Sequence, residues 1–118
     1  MNQEEQENLN KQLIGSSKNG QVELIKNLIQ KGADIHAKDD SALRWAAYRS
    51  NLDLIKYFLF DCQMEVKQET KDWLIEKHLT NILELIQKRD FIMKNFKKLN
   101  QDIIQKDLID NLKKKIKI

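Results

Sequence analysis

The sharpest alternation of hydrophobic and polar positions runs from Ser41 to Leu59, SALRWAAYRSNLDLIKYFL. Leu43, Ala46 and Ala47 stand at i, i+3 and i+4, so a helix from Ala42 to about Arg49 carries one leucine and two methyl groups on a single face. Ser41 follows two aspartates, a residue type that accepts from free backbone N–H groups at a helix start, beside acids that suit the dipole. Ser50 and Asn51 interrupt the pattern. Leu52, Leu54, Ile55, Phe58 and Leu59 then define a second helix, and the pair predicts a helical hairpin.

A hairpin this short cannot bury its own apolar face, which predicts neighbouring copies. Val22-Glu23-Leu24-Ile25-Lys26 matches Leu52-Asp53-Leu54-Ile55-Lys56 thirty residues later. Leu13 matches Leu43, and Ser16-Ser17 occupies the place of Ala46-Ala47. Leu83-Glu84-Leu85-Ile86 repeats the second-helix pattern thirty-one residues after Leu52. The period is about thirty.

Gly32-Ala33-Asp34-Ile35-His36-Ala37 resembles the GADVNA segment that follows the second helix of an ankyrin repeat, and Ser41-Ala42-Leu43-Arg44-Trp45-Ala46 resembles its TPLHxA. The resemblance covers Leu9 to Phe60 and implies an all-α stack of helical hairpins. Two features depart from the family pattern. The DxxGxT turn is reduced to Asp39-Asp40-Ser41, a short form similar to repeats of giant viruses and some bacteria, and the histidine of TPLH is Arg44.

The expected organisation is one domain over residues 1–118. Residues 9–60 form two repeats, 61–88 a degenerate third, and 89–118 basic capping helices. Asn2 to Asn8 extend the first helix as a polar cap. Cys62 stands where Gly32 ends the earlier helix, so the second hairpin should leave its last helix by a different path. The third unit should have a first helix from about Lys71 to His78, with Lys77 and His78 at the Ala46 and Ala47 positions. Asn81 and Glu84 should form a capping box for its second helix. Beyond Lys88 two further helices are expected, around Phe91–Leu99 and Ile103–Ile116.

Composition changes this picture little. The chain has 118 residues, 41% hydrophobic and 33% charged, with no Pro and three Gly, as expected of an all-helical domain. The polar start MNQEEQENLN is unlike a signal peptide, and no apolar run nears the roughly 18 residues of a membrane span. An intracellular protein is expected. One cysteine makes no internal bridge and fits a reducing compartment, with Cys62 read as partly buried at a helix end.

No catalytic or cofactor-binding constellation is present in the sequence. His36 and His78 lack the second histidine one helical turn away that a metal site uses, and the glycines are explained by turns. An enzyme is not expected, and neither cofactor nor metal is implied.

The resemblance implies function on the face formed by first helices and turns. The candidate contacts to a protein partner are Trp45, Tyr48 and Arg49, residue types enriched at binding hot spots, with Lys38, Asp39 and Asp40 in the turn. Packing against the neighbouring first helix is the alternative role for Trp45. The expected function is a small non-enzymatic binder or inhibitor that occludes a partner surface, encoded by a virus or mobile element, and monomeric.

Charge suggests a second reading. Residues 89–118 hold nine Lys or Arg against four Asp, +5, while residues 1–88 carry −2. Lys113, Lys114, Lys115 and Lys117 would meet nucleic acid or an acidic partner, or rest in solvent at a helix C-terminus. A third reading makes the Ile104, Leu108, Leu112, Ile116 stripe a self-association surface.

Overall fold

The computed structural model describes residues 1–99, which are helical throughout apart from turns and short connections. Helices α1 (Gln3–Asn19) and α2 (Val22–Gln30) form the first hairpin. The second pairs α3 (Ala37–Tyr48) with α4 (Leu52–Lys56), which continues as a π-helical turn over Tyr57–Asp61. Helices α5 (Gln68–Glu76) and α6 (Thr80–Leu99) follow. The chain groups into one compact unit, Met1–Glu84, and a second that begins at Leu85.

In the first unit α1 packs against α2 and α3, and α3 against α4 and α5. The core is the apolar stripe that the periodicity marks: Leu13, Ile25, Leu43, Ala46, Ala47, Leu54, Ile55, Phe58 and Leu59 are fully buried. Burial of each large side chain contributes roughly 1.5–3 kcal/mol. Ser16 and Ser17 are buried at the positions of Ala46 and Ala47, and Ser17 Oγ donates to the Leu13 carbonyl at 2.8 Å. The small residues let first helices pack closely, and the serine hydroxyl has a local acceptor.

The amino-terminal extension does more than cover the stack. Asn2 caps α1 by accepting from the Glu5 N–H at 2.8 Å. One turn further, Gln6 Nε2 donates to the Gly32 carbonyl at 2.9 Å, and Asn10 Oδ1 accepts from the Asp34 N–H at 2.8 Å. The polar face of α1 therefore fixes the connection between the first two hairpins.

Each first helix closes in the same way. Gly20, Ser50 and His78 all have positive φ, at 70°, 54° and 58°. Their N–H groups bond back to the carbonyls of Ser17, Ala47 and Ile75, and the next N–H bonds to those of Ser16, Ala46 and Leu74. This double closure satisfies the last carbonyls of each helix. It also sets the register of the third repeat, since Ser50 and His78 are 28 residues apart.

Several expectations need correcting accordingly. Leu74 and Ile75, not Lys77 and His78, hold the positions of Ala46 and Ala47, and α5 starts at Gln68, ahead of Lys71. α6 starts at Thr80, so Asn81 lies inside it and is not its cap. α6 also runs without a break to Leu99, where the sequence suggested separate helices on either side of Lys88. No glycine or proline lies in that span to stop it.

The second hairpin does leave by its own path. Cys62 keeps a right-handed conformation and bonds back five residues, to the Tyr57 carbonyl, and Gln63 takes the positive φ, 50°, in its stead. A side-chain-bearing residue cannot adopt the φ of 107° found at Gly32, and the π turn moves the reversal one residue on.

In the second unit Ile86 and Arg89 are buried, and Arg89 Nε donates to Asp90 at 2.8 Å. Phe91, Ile92, Met93 and Phe96 are exposed. Lys113, Lys114, Lys115, Lys117 and the stripe from Ile104 to Ile116 lie outside the described residues.

Candidate protein-binding site

Three consecutive residues, Lys38, Asp39 and Asp40, have left-handed backbone conformations, with φ of 54°, 56° and 60°. The right-handed helix therefore begins only at Ser41. Its hydroxyl donates to the Lys38 carbonyl and does not serve as the expected N-cap acceptor. Left-handed backbone costs about 1–2 kcal/mol per side-chain-bearing residue, so the turn needs compensation.

Asp40 supplies it. Its carboxylate is completely buried, with Oδ1 accepting from His36 Nδ1 at 2.6 Å and Oδ2 from Thr70 Oγ1 at 2.8 Å. A buried carboxylate without donors would be strongly destabilising, and here each oxygen has one. Asp40 therefore cannot be the partner contact that its place in the turn suggested. Lys38 and Asp39, on the same turn, remain exposed.

Along α3 the outward residues follow one another by helical turns. Trp45 and Tyr48 form an edge-to-face pair with ring centroids 5.8 Å apart and planes at 89°. Tyr48 is 64% exposed, and Trp45 is half-buried. Lys18 and Arg49 stand over the Trp45 ring, their cationic ends 5.0 and 5.9 Å from its centroid. Trp45 is therefore neither a core residue nor a free one; it is held on edge by its neighbours.

The register of the third repeat places Trp73 at the position of Trp45, 28 residues on, and Lys77 at that of Arg49. Ser41, Arg44, Trp45, Tyr48, Trp73 and Lys77 line an open groove of about 350 Å³. Arg44 lies with its guanidinium 5.3 Å from the centre of the Trp73 ring, and its Nε is buried without a hydrogen-bond partner. Trp45 and Tyr48 thus come together with residues that sequence reasoning missed: Arg44, Trp73 and Lys77. The signal was present in the recurrence of tryptophan, but it required a 28-residue step. Arg49 flanks the groove through its contact with Trp45.

Among the described residues no group of three His, Cys, Asp or Glu side chains is placed to hold a metal ion. No helix among them is long and apolar enough to cross a membrane. What the site offers is aromatic surface, cations and little else.

A sequence model of ankyrin repeats, many copies, matches residues 16–59. The chain is 40% identical over 50 residues to an ankyrin repeat protein of Acanthamoeba polyphaga mimivirus, a match covering 42% of this chain and 8% of that protein. It is 36% identical over 58 residues to an ankyrin repeat protein of Rickettsia felis, covering 47% of this chain and 92% of that one. No solved structure matches. With hairpins, repeat register and sequence in agreement, the chain belongs to the ankyrin-repeat family. Ankyrin repeats are protein-interaction modules, and the fold is in general non-enzymatic.

Proposed function

We propose that this chain is a non-enzymatic binder that covers a surface of a protein partner with the face carrying Trp45, Tyr48 and Arg49, and so acts as an inhibitor. The observation behind this reading is the edge-to-face pair of half-buried Trp45 and exposed Tyr48 on an open groove. Aromatic and arginine side chains fixed on a rigid helix supply contact area at low cost in conformational entropy. Lys38 and Asp39, exposed on the adjoining turn, extend the same face. The mimivirus match supports a viral or mobile-element origin for such an inhibitor.

The test is capture of partners on the tagged chain with and without nuclease, repeated with a variant combining Tyr48→Ala and Arg49→Glu. A protein retained after nuclease and lost, at least tenfold, from the folded double variant is the expected result. Unchanged affinity in that variant excludes this face, and capture that disappears with nuclease transfers the function to nucleic acid.

A further inference from the structure

The groove has a chemistry more specific than a generic contact surface. Among the described residues its lining includes two cations, Arg44 and Lys77, and no carboxylate. Lys18 and Arg49 add two more positive groups against the Trp45 ring. Arg44, half-buried, lines the groove with its guanidinium 5.3 Å from the centre of the Trp73 ring. A cationic donor in a partly desolvated site gains most from an anionic acceptor.

The apolar part of the groove points the same way. At about 350 Å³ it lies near the lower end of the roughly 300–1,000 Å³ typical of ligand cavities, a size for one or two side chains rather than a folded element. Single-stranded nucleic acid also pairs cations with aromatic rings, but it needs free ring faces for its bases. Here a cation already stands over each indole, and Tyr48 meets Trp45 at 89°, so the two tryptophans offer less parallel stacking surface than a run of bases uses.

We propose that the groove between the second and third repeats takes an acidic peptide segment of the partner, with an aliphatic or aromatic side chain seated between Trp45 and Trp73 and a neighbouring carboxylate on Arg44 and Lys77. This deepens the protein-binding reading and rests on it. Charge selects the segment, and the apolar anchor holds it in place. A partner presenting lysine or arginine beside its anchor is rejected by the same four cations.

The chain itself carries the probe for a test. Its only two tryptophans, Trp45 and Trp73, both line the groove, so intrinsic fluorescence of the intact protein reports occupancy. Short peptides without Trp or Tyr, each with a central leucine, are titrated in three series in which the flanking residues are Glu, Ser or Lys. The Glu series is expected to bind about ten- to a hundredfold more tightly than the Ser series, the range of charge-assisted hydrogen bonds, and the Lys series more weakly than either. Raising salt narrows the gap.

Arg44→Gln and, separately, the exposed-site Lys77→Gln should each level the preference for Glu while binding of the Ser series persists. Circular dichroism checks the fold, and Lys77→Gln serves if Arg44→Gln unfolds. Equal affinity across the three series overturns the acidic specificity and leaves the protein-binding face standing. Binding unaffected by Trp73→Phe and Tyr48→Ala together, read by isothermal titration, overturns both. No binding by any series up to millimolar concentration overturns the proposal, as does tighter saturation by an oligothymidylate than by the Glu peptides.

Discussion

The Thr70 hydroxyl donates at 2.8 Å to Oδ2 of Asp40, thirty residues earlier and at the start of the preceding repeat. Both residues are buried, so the bond joins the second repeat to the third inside the core. Thr70→Val keeps the shape and removes the donor, leaving one oxygen of a buried carboxylate unsatisfied. The expected loss is about 1–3 kcal/mol in urea unfolding. The double variant with Asp40→Ala should lose less than the two single changes combined, because the second substitution no longer breaks this bond.

Ser50 and His78 adopt the same left-handed closure as Gly20, but with side chains. Ser50→Gly and His78→Gly each relieve backbone strain, offset in part by the greater freedom of glycine in the unfolded chain. Each should stabilise the fold by about 0.5–1 kcal/mol, visible as a higher urea midpoint at unchanged slope. Alanine at either position should show no such gain.

Helix α1 meets α3 across small buried residues. Ala47→Leu forces additional carbons into that contact and should cost at least about 1–3 kcal/mol. Ser17→Ala, which copies the residue thirty positions on, should change stability by less than about 1 kcal/mol, since it removes a hydroxyl that bonds only to its own helix. Thermal unfolding of the two variants separates close packing from hydrogen bonding as the reason for small residues here.

Tyr57 and Cys62 share a hydrogen bond on the π turn. Burial, followed by the bond to Cys62, pushes the Tyr57 phenol up to about 12 from its ordinary 10.0. Burial also raises the Cys62 thiol, reinforced by Asp61 and opposed by the Tyr57 hydroxyl, which donates to the sulfur. The folded chain therefore binds these protons more tightly than the unfolded one. Their contribution to stability is complete below the unfolded values and falls as pH rises, first with the thiol and then between 10.0 and about 12 with the phenol. Iodoacetamide should alkylate Cys62 more slowly than a free cysteine near pH 9, and Tyr57→Phe should slow it further by removing the donor that favours the thiolate.

The repeat could be read in the sequence because its markers are local: Leu13 and Leu43, and Ile25 and Ile55, recur at thirty residues, and the GADIHA segment follows the first of the two second helices. The turn could not be read in the same way. Asp40 looked like a solvent-facing acid at a helix start because nothing nearby in sequence announces Thr70 as its donor. The third repeat was misaligned for a related reason: left-handed closure at a histidine carries no compositional signal, whereas Gly20 does. Trp45 and Tyr48 were legible as a pair one helical turn apart. Their joining with Trp73 and Arg44 depended on that hidden register.

The two tryptophans resemble successive rungs of a ladder, each supplied by one first helix. The corresponding rung on α1 is blank: Gly15 stands thirty residues before Trp45, and a Cβ built there meets nothing within 4 Å. The groove is thus written in units that can be lengthened independently of the core. An aromatic residue installed at that vacancy would add a subsite at the amino-terminal end, converting a grip on one short segment into a longer reading frame along it.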